Sequence, residues 1–532
     1  MKRRHVSGHL LTCLALTALA LALLPLNDGI WQWNLHPARI AWAAASTVVF
    51  ALAWFIGARV RRRRRASTGQ AWDSTDALPV FFASQTGYAQ SLAEQTAESL
   101  GAAGVPARAV PLDQASAEML GNLSHALFIA STAGEGDPPD TVARFVRHVL
   151  SQPLPLSGLR YGLLALGDRH YANFCAFGQN LDTWLRQQGA RALFSRIDVD
   201  NADPDALARW QASLVGLTDG NDVPVWQTPP FRAWRLARRV ELNPGSLGEP
   251  VFHLELVPTD GTMPAWRAGD IAEIQPRNGA AALTRWLQDT GLNGNVDVGG
   301  DTLLERLARS ELPHPAEIAG QDEQQVGAAL RELQARDYSI ASLPADGHLD
   351  LLIRQGHRPD GSPGLAAGWL TAYAHVGDDI AVRVRANPNF HAPEPDVPLI
   401  LIGNGTGLAG LRALLRERIA QARTRNWLVF GERQRACDFL HGDELDAALA
   451  QGQLAHLDLA FSRDTPQRVY VQHRLIEHAS RLRAWIDAGA MIHVCGSQAG
   501  MAGGVDAALR DILGNDCVQQ LIESGRYRRD VY

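Results

Sequence analysis

Apolar and polar positions along the chain change their pattern several times, and each change predicts a different kind of structure. Val6 to Asn27 carries no charge apart from His9, and Ile40 to Ala58 carries none. The second stretch, 19 residues long, would rise roughly 28 Å as a helix, enough to cross the hydrocarbon of a bilayer. Asn27-Asp28-Gly29 ends the first stretch, and Trp31, Trp33 and Trp42 suit an interfacial belt. Residues 1–65 therefore read as two transmembrane helices in a hairpin; a cleaved signal peptide in residues 1–26 is the alternative. A polar linker follows at 66–77. Leu78–Ala83, His125–Ala130 and Tyr161–Leu166 are then apolar throughout, as strands buried on both faces are. A helical pattern runs to Leu100, and polar loops follow each strand at its carboxyl end. This predicts an open parallel sheet over 78–220 with a ligand at its rim.

After a linker at 221–230, Val251–Val257 alternates like a barrel strand. Trp266–Pro276 looks like a pair of barrel strands, 280–335 reads as a largely helical insert, and His348–Ile353 alternates again. Residues 221–396 are thus predicted as a barrel interrupted by that insert. Val397–Ile402, Asn426–Gly431, Leu457–Phe461 and Ile492–Gly496 return to buried strands, with a helix expected from Leu408, so 397–532 is a further α/β domain. The fold class is α/β multidomain.

Charge sharpens this division. Residues 1–66 hold ten of the 50 basic residues and one of the 56 acidic ones, leaving a net charge of −15 on the remainder. Lys2-Arg3-Arg4 before the first apolar stretch and Arg61 to Arg65 after the second place both ends of the hairpin in the cytoplasm. The expected location is the inner (cytoplasmic) membrane with the later domains facing the cytoplasm. An acidic soluble part argues against nucleic acid and suits a docking partner with a basic patch. The five cysteines form no CxxC, which argues against a disulfide framework or structural zinc. Lys2 is the only lysine, which excludes a Walker-type, Schiff-base or kinase lysine. Phosphate charge must be met by arginine, hydroxyls and backbone amides.

The loops supply such groups. Ser84-Gln85-Thr86-Gly87-Tyr88-Ala89 joins a strand to a helix N-terminus, a cradle for a terminal phosphate and hence for a mononucleotide. Ser131-Thr132-Ala133-Gly134-Glu135-Gly136 and Gly167 to Phe174 follow the next two strands, with Tyr171 and Phe174 as flat faces for a flavin ring. In Arg336-Asp337-Tyr338-Ser339 a guanidinium can fork onto a pyrophosphate, a ring can lie on a heterocycle and a hydroxyl can reach its edge; FAD fits this set. Gly403-Asn404-Gly405-Thr406-Gly407 brings backbone and a helix dipole to a pyrophosphate. Ser462, Arg463, Arg468, Tyr470 and Gln472 can enclose a phosphomonoester, which argues for NADPH over NADH.

SQTG, STAGEGDPP and LGDRHYANF, in this order, resemble the flavodoxin domains of the diflavin reductases, most closely those of sulfite reductase flavoprotein subunits. RDYS matches that family's Arg-x-Tyr-Ser. The resemblance covers about residues 78–532. It implies a ferredoxin-reductase-type FAD barrel, a Rossmann-like NADP domain, and electron flow from NADPH to FAD to FMN to a one-electron acceptor. That acceptor would be a haem protein, a sulfite reductase haem subunit or a ferric chelate. It further implies that Tyr171 stacks on FMN, that Arg336 and Gly364 to Gly368 hold the FAD pyrophosphate, and that Tyr338 stacks on the FAD ring. Ser339, Cys495 and Asp530 would place the hydride donor while Tyr532 covers FAD. The chain departs from the family at Ala133, where relatives place a second aromatic, at Ala367 and Gly368 in place of serine or threonine, at Arg468 in place of lysine, and in its short insert. A flavin-binding redox sensor with negligible turnover is the reading from another class.

Overall fold

The computed structural model describes residues 77–532 apart from 170, 219–222, 225, 227–228 and 359–360. The expected hairpin at 1–65 lies outside the described residues. Among the described ones, no helix is long and apolar enough to cross a membrane.

The apolar runs of the first soluble part build one parallel sheet. Its strands are β1 (Leu78–Ala83), β2 (Ala107–Pro111), β3 (His125–Ser131), β4 (Arg160–Gly167), β5 (Arg191–Ala192) and β6 (Ile197–Asp200). The order is β2-β1-β3-β4-β5, with β6 also paired to β4. Val80, Leu127 and Leu164 pack one face against Leu92, Ala93 and Leu100 of helix Tyr88–Ala102 and against Trp210. Trp210 is fully buried, gives its indole N–H to Thr96 Oγ1 at 3.1 Å and meets Phe194 edge-on at 5.6 Å.

Alternation gives way to an antiparallel sheet next, formed by β7 (Arg232–Glu241), β8 (Val251–Pro258), β9 (Ile271–Ile274), β10 (Arg336–Ser339), β11 (Leu349–Arg354) and β12 (Asp379–Arg385). The order is β10-β9-β12-β7-β8-β11. The chain closes back between the end strands where Ala341 N–H donates to Asp350 O at 2.9 Å. The paired strands expected over Trp266–Pro276 reduce to β9 alone. Asp270 explains this: its carboxylate accepts from Arg267 N and Asn387 N, both at 2.8 Å, and Gly269 has φ +97°, so the chain turns where a strand was expected. The insert breaks into short helices, among them Ala280–Thr290, Leu303–Ala308 and Glu323–Ala329, around Leu283, Trp286, Leu307 and Val326.

A second parallel sheet closes the chain: β13 (Leu399–Asn404), β14 (Asn426–Glu432), β15 (His456–Phe461), β16 (Met491–Gly496) and β17 (Tyr527–Val531), in the order β15-β14-β13-β16-β17. It is tied to the barrel by buried charge. Asp350 faces His253, His348 and Arg412, and Arg412 also reaches Glu444 and Ala341 O. Burial pushes the Asp350 carboxyl up, but the hydrogen bond with His253 and the neighbouring His348 and Arg412 outweigh it and hold the group at about 2.

Trp210→Ala should destabilise the first sheet and its helices by about 3–5 kcal/mol, because a fully buried indole leaves a large cavity. Urea unfolding followed by circular dichroism should show an earlier transition; an unshifted midpoint would mean that the indole does not hold helix Tyr88–Ala102 in place.

Candidate functional site

The loop after β1 is built to meet an anion. Ser84 is buried and its hydroxyl has no partner in the protein. Gly87 has φ +83°, and a Cβ there would stand 2.4 Å from Ala386 O, so glycine is required both by the backbone and by the neighbouring chain. Tyr88 and Ala89 begin the helix, whose N-terminus has no side-chain cap. Unpaired hydroxyl and amide donors at a helix N-terminus fit a phosphate group. Gln85 is occupied otherwise, accepting from Asp140 N at 2.9 Å and donating to Arg529 O at 2.8 Å. Thr86 turns to a larger cavity described below. The Ser131 hydroxyl bonds Ala83 O at 2.8 Å, and Thr132 Oγ1 accepts from Phe177 N at 3.3 Å, so both brace the rim. Gly134 lies against Gln498, Gly136 against Asn173, and Gly167 against Cys175. Tyr171 is 42% exposed, leaving its ring face open to a ligand. Phe174 carries the Arg169 guanidinium 4.6 Å above its ring.

The larger cavity, about 810 Å³, lies between the barrel and the second parallel sheet. Tyr338 and Ser339 reach it from β10, Leu352 to Arg354 from β11, and Gly405 and Thr406 from the turn after β13. Ser462, Arg463, Tyr470 and Gln472 form another wall, and Asp530 to Tyr532 close it. The β13 turn approaches β16 so closely that a Cβ at Gly407 would lie 2.2 Å from Cys495 O. Arg336 is exposed and, like Gly364 and Gly368, lies outside this lining; Ala367 of the same loop does line it.

The hydroxyl of Ser339 donates to Asp530 Oδ2 at 2.9 Å, and the Cys495 thiol lies 3.9 Å from the same oxygen. Register explains the meeting, since Cys495 and Asp530 are partners across β16 and β17. Burial raises the Asp530 carboxyl above its ordinary range, and the Ser339 hydrogen bond pulls against that rise. Burial likewise raises the Cys495 thiol well above its ordinary range, which keeps it protonated. Tyr532 is pinned at its backbone by Gly496 O (3.0 Å) and Gln498 N (2.9 Å), and its hydroxyl meets Thr406 Oγ1 at 3.2 Å. The residue is 56% exposed, and is held at its backbone and at its hydroxyl.

Arg463 of the opposite wall and Arg468, which lies outside the lining, sit beside Tyr470 and lower its phenol. Both arginines are exposed, as a site for a dianion requires. Arg433 Nη1 and Gln472 Oε1 are buried without a protein partner in residues that line the cavity. A cavity with two tyrosines, glycine turns and unpaired polar atoms fits a flavin and a dinucleotide. Sequence reasoning missed Arg354, Glu432 and Arg433. Arg354 and Glu432 end β11 and β14, and a charge at the carboxyl end of a buried strand is the signal that marks them.

Behind Cys495 on the same strand, His493 is buried, with Phe390 at 5.0 Å and its Nε2 3.2 Å from His391 O. Burial, with Arg528 nearby, holds its imidazole neutral down to about pH 3. An unfolded chain's histidine protonates near pH 6.5. Between those values the unfolded state binds the extra proton, so stability falls as pH falls, by about 1.4 kcal/mol per unit for this group. His493→Gln should therefore flatten the decline of the urea midpoint between pH 6.5 and 4.5; an unchanged slope would mean that His493 is protonated in the folded protein.

Residues 80–210 match the family model described as Flavodoxin, and residues 401–507 match that of the oxidoreductase NAD-binding domain. The chain is 30% identical to the sulfite reductase [NADPH] flavoprotein alpha-component of Vibrio parahaemolyticus over 599 aligned residues, covering 96% of each chain. Against the Bacillus subtilis protein of the same name it is 30% identical, over 86% of this chain and 89% of that one. The 96% span extends upstream of residue 78, further than the sequence motifs alone reach. With two such sites on one chain and these relatives along nearly its whole length, the chain belongs to the diflavin reductase family and is an NADPH-dependent reductase whose cofactors are FMN, FAD and NADPH.

Proposed function

We propose that the chain is a membrane-anchored reductase that draws on NADPH and delivers electrons singly, through FAD and then FMN, to a haem protein, a sulfite reductase haem subunit or a ferric chelate at the cytoplasmic face. The observation that carries the reading is the convergence of Ser339 and Asp530, with the buried Cys495 thiol behind them, at the cavity that Tyr338 and Tyr532 also line. Bound together, the nucleotide and the two flavins supply a relay from hydride to single electrons, and the protein supplies position and electrostatics.

Each set of residues has its part. Ser84 to Ala89 take the FMN phosphate, while Ser131, Thr132, Gly134, Gly136, Gly167, Tyr171 and Phe174 surround its ring. Tyr338 lies along the FAD ring, with Arg336, Gly364 and Gly368 toward its pyrophosphate. Gly405, Thr406 and Gly407 take the pyrophosphate of NADPH, and Ser462, Arg463, Arg468, Tyr470 and Gln472 its 2′-phosphate. Ser339, Asp530 and the neutral Cys495 thiol orient the nicotinamide, and Tyr532 yields its place to that ring. The apolar, base-flanked stretches of residues 1–65 support the anchor and favour an acceptor near the membrane.

Acid release from the purified chain should yield one FMN and one FAD, and NADPH should be consumed steadily with ferricyanide as acceptor. Folded protein that stays colourless when offered both flavins would end this reading, and a chain that holds flavin without turnover would favour the redox sensor. Arg463→Ala with Arg468→Ala should raise the KM for NADPH by roughly tenfold to a hundredfold, the loss of charge-assisted hydrogen bonds, and leave NADH nearly unchanged. Equal losses for both nucleotides would refute the 2′-phosphate assignment. Deleting Tyr532 should narrow the preference for NADPH over NADH; unchanged kinetics would remove the ring from the site.

A further inference from the structure

Arg354 ends β11 of the barrel and Glu432 ends β14 of the second parallel sheet. Their side chains form an ion pair between the two modules, Nη2 of the arginine on Oε1 of the glutamate. The pair lies against the turn after β13: a Cβ placed on Gly405 would stand 3.2 Å from Arg354 Nη2 and 3.4 Å from Glu432 Oε1. Both side chains line the 810 Å³ cavity together with Gly405, Thr406 and Arg433.

We infer that Arg354 receives the diphosphate bridge of the pyridine dinucleotide, and that Glu432 holds this guanidinium at the glycine turn until the nucleotide takes it over. The inference rests on the assignment of NADPH to this cavity. Several observations converge on it. A guanidinium forks onto a diphosphate as readily as onto a carboxylate, so one anion can replace the other without reorienting the planar group. Arg354 has one further anchor, Nη1 to Glu249 O at 3.2 Å, which keeps the side chain in place during the exchange. Glu432 stands at the end of the strand beside β13, where an acidic side chain in a dinucleotide-binding sheet repels phosphate and attracts a ribose diol. Pairing with Arg354 cancels that repulsion. When Arg354 turns to the nucleotide, Glu432 keeps its hydrogen bond from Arg433 N at 2.9 Å.

A static staple between the modules would use the same two residues, and the two roles differ in sign. If the pair only joins the modules, removing either partner has the same effect. If Arg354 is held for the nucleotide, removing Glu432 frees it. The experiment is calorimetric titration of the full-length, flavin-loaded chain with NADP⁺ and with 2′-AMP, which keeps the 2′-phosphate but lacks the diphosphate. Arg354→Gln should weaken NADP⁺ at least tenfold and leave 2′-AMP within twofold. Glu432→Gln should tighten NADP⁺ at least threefold and leave 2′-AMP unchanged. Weakening of NADP⁺ by both variants, or equal losses for NADP⁺ and 2′-AMP, would overturn the inference. Should Arg354→Gln fail to hold its flavins, Glu432→Gln decides alone: no gain in NADP⁺ affinity refutes the exchange. A wild-type chain that binds neither compound would instead remove the NADPH assignment itself, a distinguishable failure.

Discussion

The pairing of β17 with β16 is the contact on which the rest depends. Parallel pairing sets Asp530 beside Cys495 and sends successive side chains of β17 to opposite faces. Asp530 thereby reaches Ser339 of the barrel, while Arg529 reaches Asp140 beside the phosphate loop of the first sheet, Nε to Oδ2 at 2.7 Å. The carbonyl of Arg529 is also the acceptor for Gln85. A single five-residue edge strand thus touches all three sheets. A slip of one residue would exchange the faces, withdrawing the carboxylate from the serine and the guanidinium from the flavodoxin-like domain at once.

The other ties between modules are also arginine pairs. Arg385 bonds Glu273 at 2.7 Å, pairs with Asp337 and donates to Thr86 O, so it joins the barrel to the first phosphate loop. Asn389 adds hydrogen bonds to Ser84 O and Gln85 O. In a chain with one lysine the choice has a physical meaning. Guanidinium stays charged when partly buried, and its planar fork satisfies two acceptors in fixed directions. Buried pairs of this kind add little net stability, because desolvation offsets the attraction. Their directionality sets how the sheets meet, and hence where the cavity opens.

The sequence made the strands legible because both parallel sheets are buried on their two faces and leave apolar runs. The phosphate loop, RDYS, the glycine turn and the arginines after β15 were legible for a related reason: each is a local chemical set at the end of such a run. Residues that act across modules were not legible. Arg354 is one polar residue ending LDLLIR, and nothing near it in the chain announces Glu432, 78 positions later. Trp266–Pro276 misled because its likeness to a pair of barrel strands carries no sign that Asp270 draws Arg267 N and Asn387 N onto one carboxylate and closes a turn. The same limit applies to Arg336, whose motif was plain while its exposed side chain, donating to Ala335 O at 3.3 Å, could not be read from spacing.

Unpaired polar atoms give the fold and the function a common cause. The Ser84 hydroxyl, Arg433 Nη1 and Gln472 Oε1 are each buried without a protein partner, at the rim of the first sheet and on the cavity wall. Leaving such a group unpaired costs about 1–3 kcal/mol, and more where it is charged. A sequence selected for stability alone would replace them with apolar side chains, which fit the same space without that cost. Their retention makes sense if bound ligand completes the hydrogen bonding, phosphate for the Ser84 and Arg433 donors and a hydroxyl or amide for the Gln472 acceptor. Any ligand that binds only the folded chain then adds to its stability by mass action. The nucleotide and the flavins become parts of the folded state.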